Sequence, residues 1–251
     1  MKIIERIEQD GNFLFRWRSY GPLILVPILF AALLEAASVE YRVGEVWHDW
    51  WGVVCYTISL SGLGIRWLVV GRASPGTSGR NVSEQRADFL NTTGLYSVVR
   101  HPLYLGNFLA LLGIALAPMV WWFVFAVALA YWLYIERIMA AEEKFIAGKF
   151  GAAFEGWAAR TPAFIPKLAL WRASDRPFSV RTVLKREYNG VLAIASGFLV
   201  LEFALDVLVI GEPVQVWAQD DRFWLVIFAL SAIAFVVLRS LKKKTQLLNI
   251  R

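Results

Sequence analysis

The chain of 251 residues is 58% hydrophobic, with a mean hydropathy of +0.52. A soluble domain is about 45–50% apolar, so this composition excludes an ordinary water-soluble enzyme and calls for burial in a bilayer. The net charge of +6 suits a chain oriented by its basic loops and facing anionic lipid better than a nucleic-acid binder, and the lone Cys55 excludes a disulfide framework or a zinc cluster.

The chain reads as an all-α polytopic membrane protein with about six spanning helices. The first apolar run, 20–39, follows Lys2, Arg6, Arg16 and Arg18. It lacks a small-residue cleavage site and reads as a span, not a cleaved signal. The second covers 50–70. The third and fourth, 103–117 and 119–135, form a short hairpin broken at Pro118, and each half is brief for a full crossing. The fifth and sixth cover 189–210 and 223–238. These divide the chain into an N-terminal segment with the first helix (1–49), a central core (50–170), and a basic connector with a two-helix extension (171–251).

Almost all lysines and arginines fall in alternate connections, whereas the opposite turns hold only Arg42 and Arg222. The positive-inside rule therefore predicts cytoplasmic termini and two long cytoplasmic segments, 71–102 and 136–188. Long segments gathered on one face are where function is expected. Within the apolar runs, Arg66 either snorkels or faces such a site. Glu35, Glu202 and Asp206 lie toward the other side, where snorkelling or helix pairing accounts for them. His48 sits in an acidic outer turn and suggests nothing specific.

Two constellations carry chemistry. In Arg100-His101-Pro102-Leu103-Tyr104, Pro102 suits the first turn of a helix, so Arg100 and His101 precede a helix N-terminus at the membrane surface. That geometry favours an anion, or else anchors the helix among the headgroups. In the second, Glu142-Glu143 lies on a helix whose Met139, Ile146, Phe150, Phe154 and Trp157 share one stripe, with Lys144, Gly148 and Gly151 on the other side. Glu143 falls inside that stripe with Glu136 two turns before it, and Glu142 at its edge. A carboxylate there needs a cation or donors, unless the helix is simply solvated. The sequence has no P-loop, no glycine-rich dinucleotide fingerprint, no Gly-x-Ser-x-Gly elbow and no His-Glu-x-x-His pair.

The Arg100-His101-Pro102-Leu103-Tyr104 motif, the broken hairpin and Glu142-Glu143 together resemble the isoprenylcysteine carboxyl methyltransferases and the related phospholipid methyltransferases. Phe150-Gly151, Trp157, Thr161-Pro162 and Pro166 resemble the family's closing pattern, and the resemblance covers roughly 50–167. Gly76-Thr77-Ser78-Gly79-Arg80-Asn81 with Asn91-Thr92-Thr93-Gly94 is similar to a bacterial branch that includes lipid A phosphate methyltransferases. The resemblance implies S-adenosylmethionine held at the cytoplasmic face, with a lipid entering from the bilayer of a bacterial inner membrane as substrate, and no nucleic acid and no metal. It implies that His101, Tyr104, Gly106, Asn107, Glu142 and Glu143 bind the cofactor, and that Arg100 and Glu143 act in catalysis. An anionic oxygen such as a lipid phosphate is the expected acceptor. A carboxyl, amine or thiol methyltransferase, or a non-catalytic lipid-binding scaffold or transporter, is the alternative.

Overall fold

A computed structural model of the chain describes residues 3–17, 25–73, 87–245 and 247–248, which form α-helices and short turns without a strand. In chain order the helices are α1 (Ile3–Trp17), α2 (Val26–Val43), α3 (Glu45–Val70), α4 (Pro102–Leu116), α5 (Trp121–Phe150), α6 (Ala152–Ala158), α7 (Val180–Glu187), α8 (Gly190–Phe203), α9 (Val214–Asp220) and α10 (Arg222–Lys244). A π-helical stretch, Ala204–Ile210, extends α8. The segment Gly76–Asn81 lies outside the described residues.

The chain is an all-α polytopic membrane protein. Of the six expected spans, α3, α5, α8 with its extension, and α10 are each long and apolar enough to cross a membrane. Over the described residues, which for the first expected span begin at 25, the other two fall short on their own. The 18-residue α2 carries Glu35, Glu40 and Arg42, and the 15-residue α4 rises only about 22 Å against a hydrocarbon core of about 30 Å.

The hairpin at Pro118 is correspondingly unequal, because α5 runs past 135 to Phe150, 30 residues in all. Nothing in 136–150 breaks a helix, so the polar residues there lengthen α5 beyond its apolar stretch. Gly151, at φ 52°, then ends α5 and begins α6. An L side chain is strained at that φ, which splits the stripe and puts Phe154 and Trp157 on a separate helix.

Helices α3 and α4 pack most intimately. A Cβ on Gly62 would run into the Gly106 carbonyl, and a Cβ on Gly106 into that of Gly62. Small residues at a membrane helix crossing let the two backbones touch, so dispersion and polar contacts replace the absent hydrophobic drive. Ser59 Oγ donates to the Ala110 carbonyl across the same seam, at 2.8 Å.

The C-terminal pair is part of this core. Leu33, Cys55, Leu63 and Val127 share one buried cluster with Phe198 and Leu201 of α8 and Trp224 of α10. Phe198 stacks on Trp224 with ring centroids 5.1 Å apart.

Helix α1 is an addition to the sequence reading. Its apolar residues alternate with charged ones, which gives no long hydrophobic run. It lies along α5, with Gly11 against the Arg137 carbonyl and Phe15 buried beside Ile138 and Met139.

Candidate active site

The site begins at the chain preceding α4. Pro102 occupies the first turn of α4, where its missing N–H costs no hydrogen bond, and His101 caps the helix in a non-helical conformation. The strand-like stretch before it is held by the closing segment. Lys167 N donates to Val98 O, Arg100 N to Pro162 O, and His101 N to Ala163 O, at 2.9–3.1 Å. Trp157 adds an indole N–H to Tyr96 O at 3.1 Å. Thr161-Pro162 is thus the rail against which Arg100 and His101 are fixed.

From this rail Arg100 reaches α5. Its Nε and Nη2 donate to the two Glu143 oxygens at 2.8 and 3.2 Å. Its Nη1 donates to Ala158 O and Thr161 O at 2.9 and 2.7 Å. The guanidinium fork is therefore mostly engaged within the protein, and the geometry makes Arg100 a clamp on Glu143.

His101, 8% exposed, completes that clamp with Nε2 2.8 Å from Glu143 Oε1. Its Nδ1 lies 3.8 Å from Glu142 Oε2. Tyr104, one turn into α4, stacks on the His101 ring and donates its hydroxyl to Glu142 Oε1 at 2.7 Å. Five of the sequence-predicted residues, Arg100, His101, Tyr104, Glu142 and Glu143, thus form one connected cluster across 43 residues of chain. Glu136 does not join it: it is exposed.

Gly106 and Asn107 serve neighbouring purposes. Gly106 is buried at the α3–α4 crossing. Asn107 Oδ1 accepts from Arg66 Nη1 at 2.7 Å. Arg66 does not snorkel: its Nε and Nη2 meet Glu187 at 2.9 and 2.8 Å. Glu187, at the end of α7, is 6% exposed and was not singled out by sequence. The signal was Arg66 itself, since an arginine in an apolar helix implies a carboxylate partner. Ser179 delivers α7 to this place, capping it through Thr182 N at 3.2 Å while its own N–H donates to Gly71 O at the end of α3.

Tyr96 lies between the two clusters. Burial, reinforced by the Glu142 carboxylate and offset by Arg66, pushes its phenol well above its usual range, so the hydroxyl stays a neutral donor. The outer-side charges differ from expectation in one respect. Glu35 accepts from Trp122 Nε1 at 2.6 Å, but Glu202 is 5% exposed and does not snorkel, because Trp224 and Gly52 enclose it. His48 is likewise buried, on α3.

Residues 52–153 match the model of the phospholipid methyltransferase family. The cobalt-zinc-cadmium resistance protein CzcN of Cupriavidus metallidurans is 33% identical over 164 residues, 65% of this chain and 70% of that protein. The nickel-cobalt-cadmium resistance protein NccN of Alcaligenes xylosoxydans xylosoxydans is 31% identical over 166 residues, 65% of this chain and 71% of that protein. No solved structure matches the chain. The helices and the motif cluster are those of a polytopic membrane methyltransferase. The chain belongs to the phospholipid methyltransferase family.

Proposed function

We propose that the protein is an S-adenosylmethionine-dependent methyltransferase of a membrane lipid headgroup, with an anionic oxygen such as a lipid phosphate as acceptor. The observation that carries this reading is the convergence of Glu142 and Glu143 on Arg100, His101 and Tyr104 in a member of a methyltransferase family.

The donor set fits the cofactor. Two carboxylates set against one guanidinium and one imidazole give the site acceptors for a cationic ligand. S-adenosylmethionine, with a sulfonium, an ammonium and a carboxylate, carries one net positive charge. When bound, it supplies a methyl group made electrophilic by a positively charged sulfur. Glu142 and Glu143 hold its ammonium or ribose hydroxyls, Arg100 and His101 fix the direction of Glu143, and Tyr104 fixes Glu142. Methyl transfer is an in-line displacement, so such positioning supplies most of what the chain must contribute.

An anionic acceptor asks least of this site. A thiol or an alkylammonium must lose a proton before it attacks, and that proton would have to go to Glu142, Glu143 or His101, which already hold one another in place. A phosphate oxygen is already anionic and needs no base. The lipid enters from the bilayer, and the basic segments orient this end of the bundle toward the cytoplasm of a bacterial inner membrane. Methylating a phosphate oxygen removes a negative charge from a headgroup and weakens its hold on divalent metal. This links the proposed reaction to the metal resistance for which the two relatives are named.

The test is calorimetric titration of the detergent-purified chain with S-adenosylhomocysteine, followed by mass comparison of lipid extracts from cells with and without the protein. Saturable binding and a lipid gaining one methyl are expected. A folded protein that does not bind would end the cofactor reading, and a methylated species other than an anionic lipid would end the acceptor reading.

A further inference from the structure

The opposite end of the bundle holds charge of another kind. Gly52, against which Glu202 lies, is about 21 Å along α3 from Arg66. Glu202, Asp206 and Asp221 each offer an oxygen there, and the three oxygens lie within 4.8 Å of one another. Among the described residues no lysine or arginine pairs with any of them. Glu202 is 5% exposed, and no hydrogen-bond donor among the described residues meets its carboxylate.

That end is short of partners more widely. The buried side-chain atoms without a hydrogen-bond partner among the described residues are Glu40 Oε2, His48 Nε2 and Trp217 Nε1. Glu40 and His48 flank the α2–α3 turn, and Trp217 lies on α9, just before Asp221. His48 stands one helical turn from Gly52, on the α3 face that Glu202 approaches. A buried carboxylate with neither donor nor cation is costly, and it is relieved by a proton or by a cation.

We propose that Glu202, Asp206 and Asp221 bind a divalent cation at this end of the bundle, remote from the Arg100–Glu143 cluster. The spacing suits an oxygen-coordinated ion. At metal–oxygen distances of about 2.3–2.6 Å, ligands on opposite sides of the ion stand about 4.6–5.2 Å apart, so the three oxygens need no large movement to close on it. An all-carboxylate set favours manganese, calcium or magnesium over softer metals. Asp206 stands one helical turn from Glu202, at the start of the π-helical stretch, a conformation common at functional sites.

The experiment titrates MnCl2 into the detergent-purified full chain and reads free Mn2+ by its electron paramagnetic resonance signal. One saturable site per chain is expected, displaced by Ca2+ and weakened at least tenfold in Glu202→Gln and Asp206→Asn. Elution volume and helical circular dichroism confirm that each variant is folded. Should either fail to fold, Asp221→Asn, in the turn before α10, carries the same test. No saturable binding up to about 1 mM would overturn the proposal and assign the cluster to shared protons. Binding left unchanged in the folded variants would overturn it as well, identifying surface carboxylates as the ligands.

Discussion

The two ends of the bundle treat their charged groups oppositely. Around Arg100 and Arg66, the carboxylates Glu143 and Glu187 have bidentate partners. Around Glu202, carboxylates face one another. A closed ion-pair network holds side chains in one geometry ready for a ligand, whereas an open acidic cluster invites a cation or a proton. The contrast separates a site organised by its own residues from one that a small ion must complete.

The sharpest way to break the contrast is at Glu143. Glu143→Gln removes the charge that balances Arg100, and we expect methyl transfer and S-adenosylhomocysteine binding to fall at least about 100-fold, with the chain still membrane-inserted. Unchanged binding in that variant would move the cofactor elsewhere.

Next is Arg66→Ala, which leaves Glu187 buried without a partner and lowers stability by about 3–5 kcal/mol, read as a fall in melting temperature in detergent. Arg66→Ala combined with Glu187→Leu should recover much of that loss. Gly106→Ala should cost about 1–3 kcal/mol by forcing α3 and α4 apart.

The other end should respond with the opposite sign. Burial, offset by a hydrogen bond with Asp206 and reinforced by Asp49, Glu212 and Asp220, raises the Asp221 carboxyl to about 6. A carboxyl raised on folding stabilises the protein fully below its unfolded value of 3.8, and that stabilisation is lost as pH rises through about 6. Metal-free protein should therefore melt higher at pH 5 than at pH 7, and Asp221→Asn should flatten the difference. A melting temperature that does not rise on acidification would remove the distinction between the two ends.

Part of the Arg100 cluster was legible in the residues themselves and part, Tyr104 above all, only through the family resemblance. Pro102 requires a helix start after His101, and Glu143 is a carboxylate inside an apolar stripe. The partners across the fold were not legible. Thr161 and Ala158 act through backbone carbonyls, which no residue type encodes. Glu187 sits on a strongly charged helix, where one more carboxylate does not stand out. Gly106 and Gly62 were unreadable as a pair because close approach depends on which helices meet. That helix runs on past the apolar stretch of α5 was legible from the stripe of Met139, Ile146 and Phe150, but its end at Gly151, before Phe154 and Trp157, was not.

The Arg100 clamp also has a consequence for biosynthesis. Its acceptors lie 43, 58 and 61 residues downstream, and the Arg66 partner lies 121 residues downstream. At about 5–20 residues per second, Arg66 waits about 6–24 seconds after its own synthesis before Glu187 exists. The Arg66–Glu187 pair can therefore close only after α7 has been made, and until then this end of the bundle lacks its full set of ion pairs.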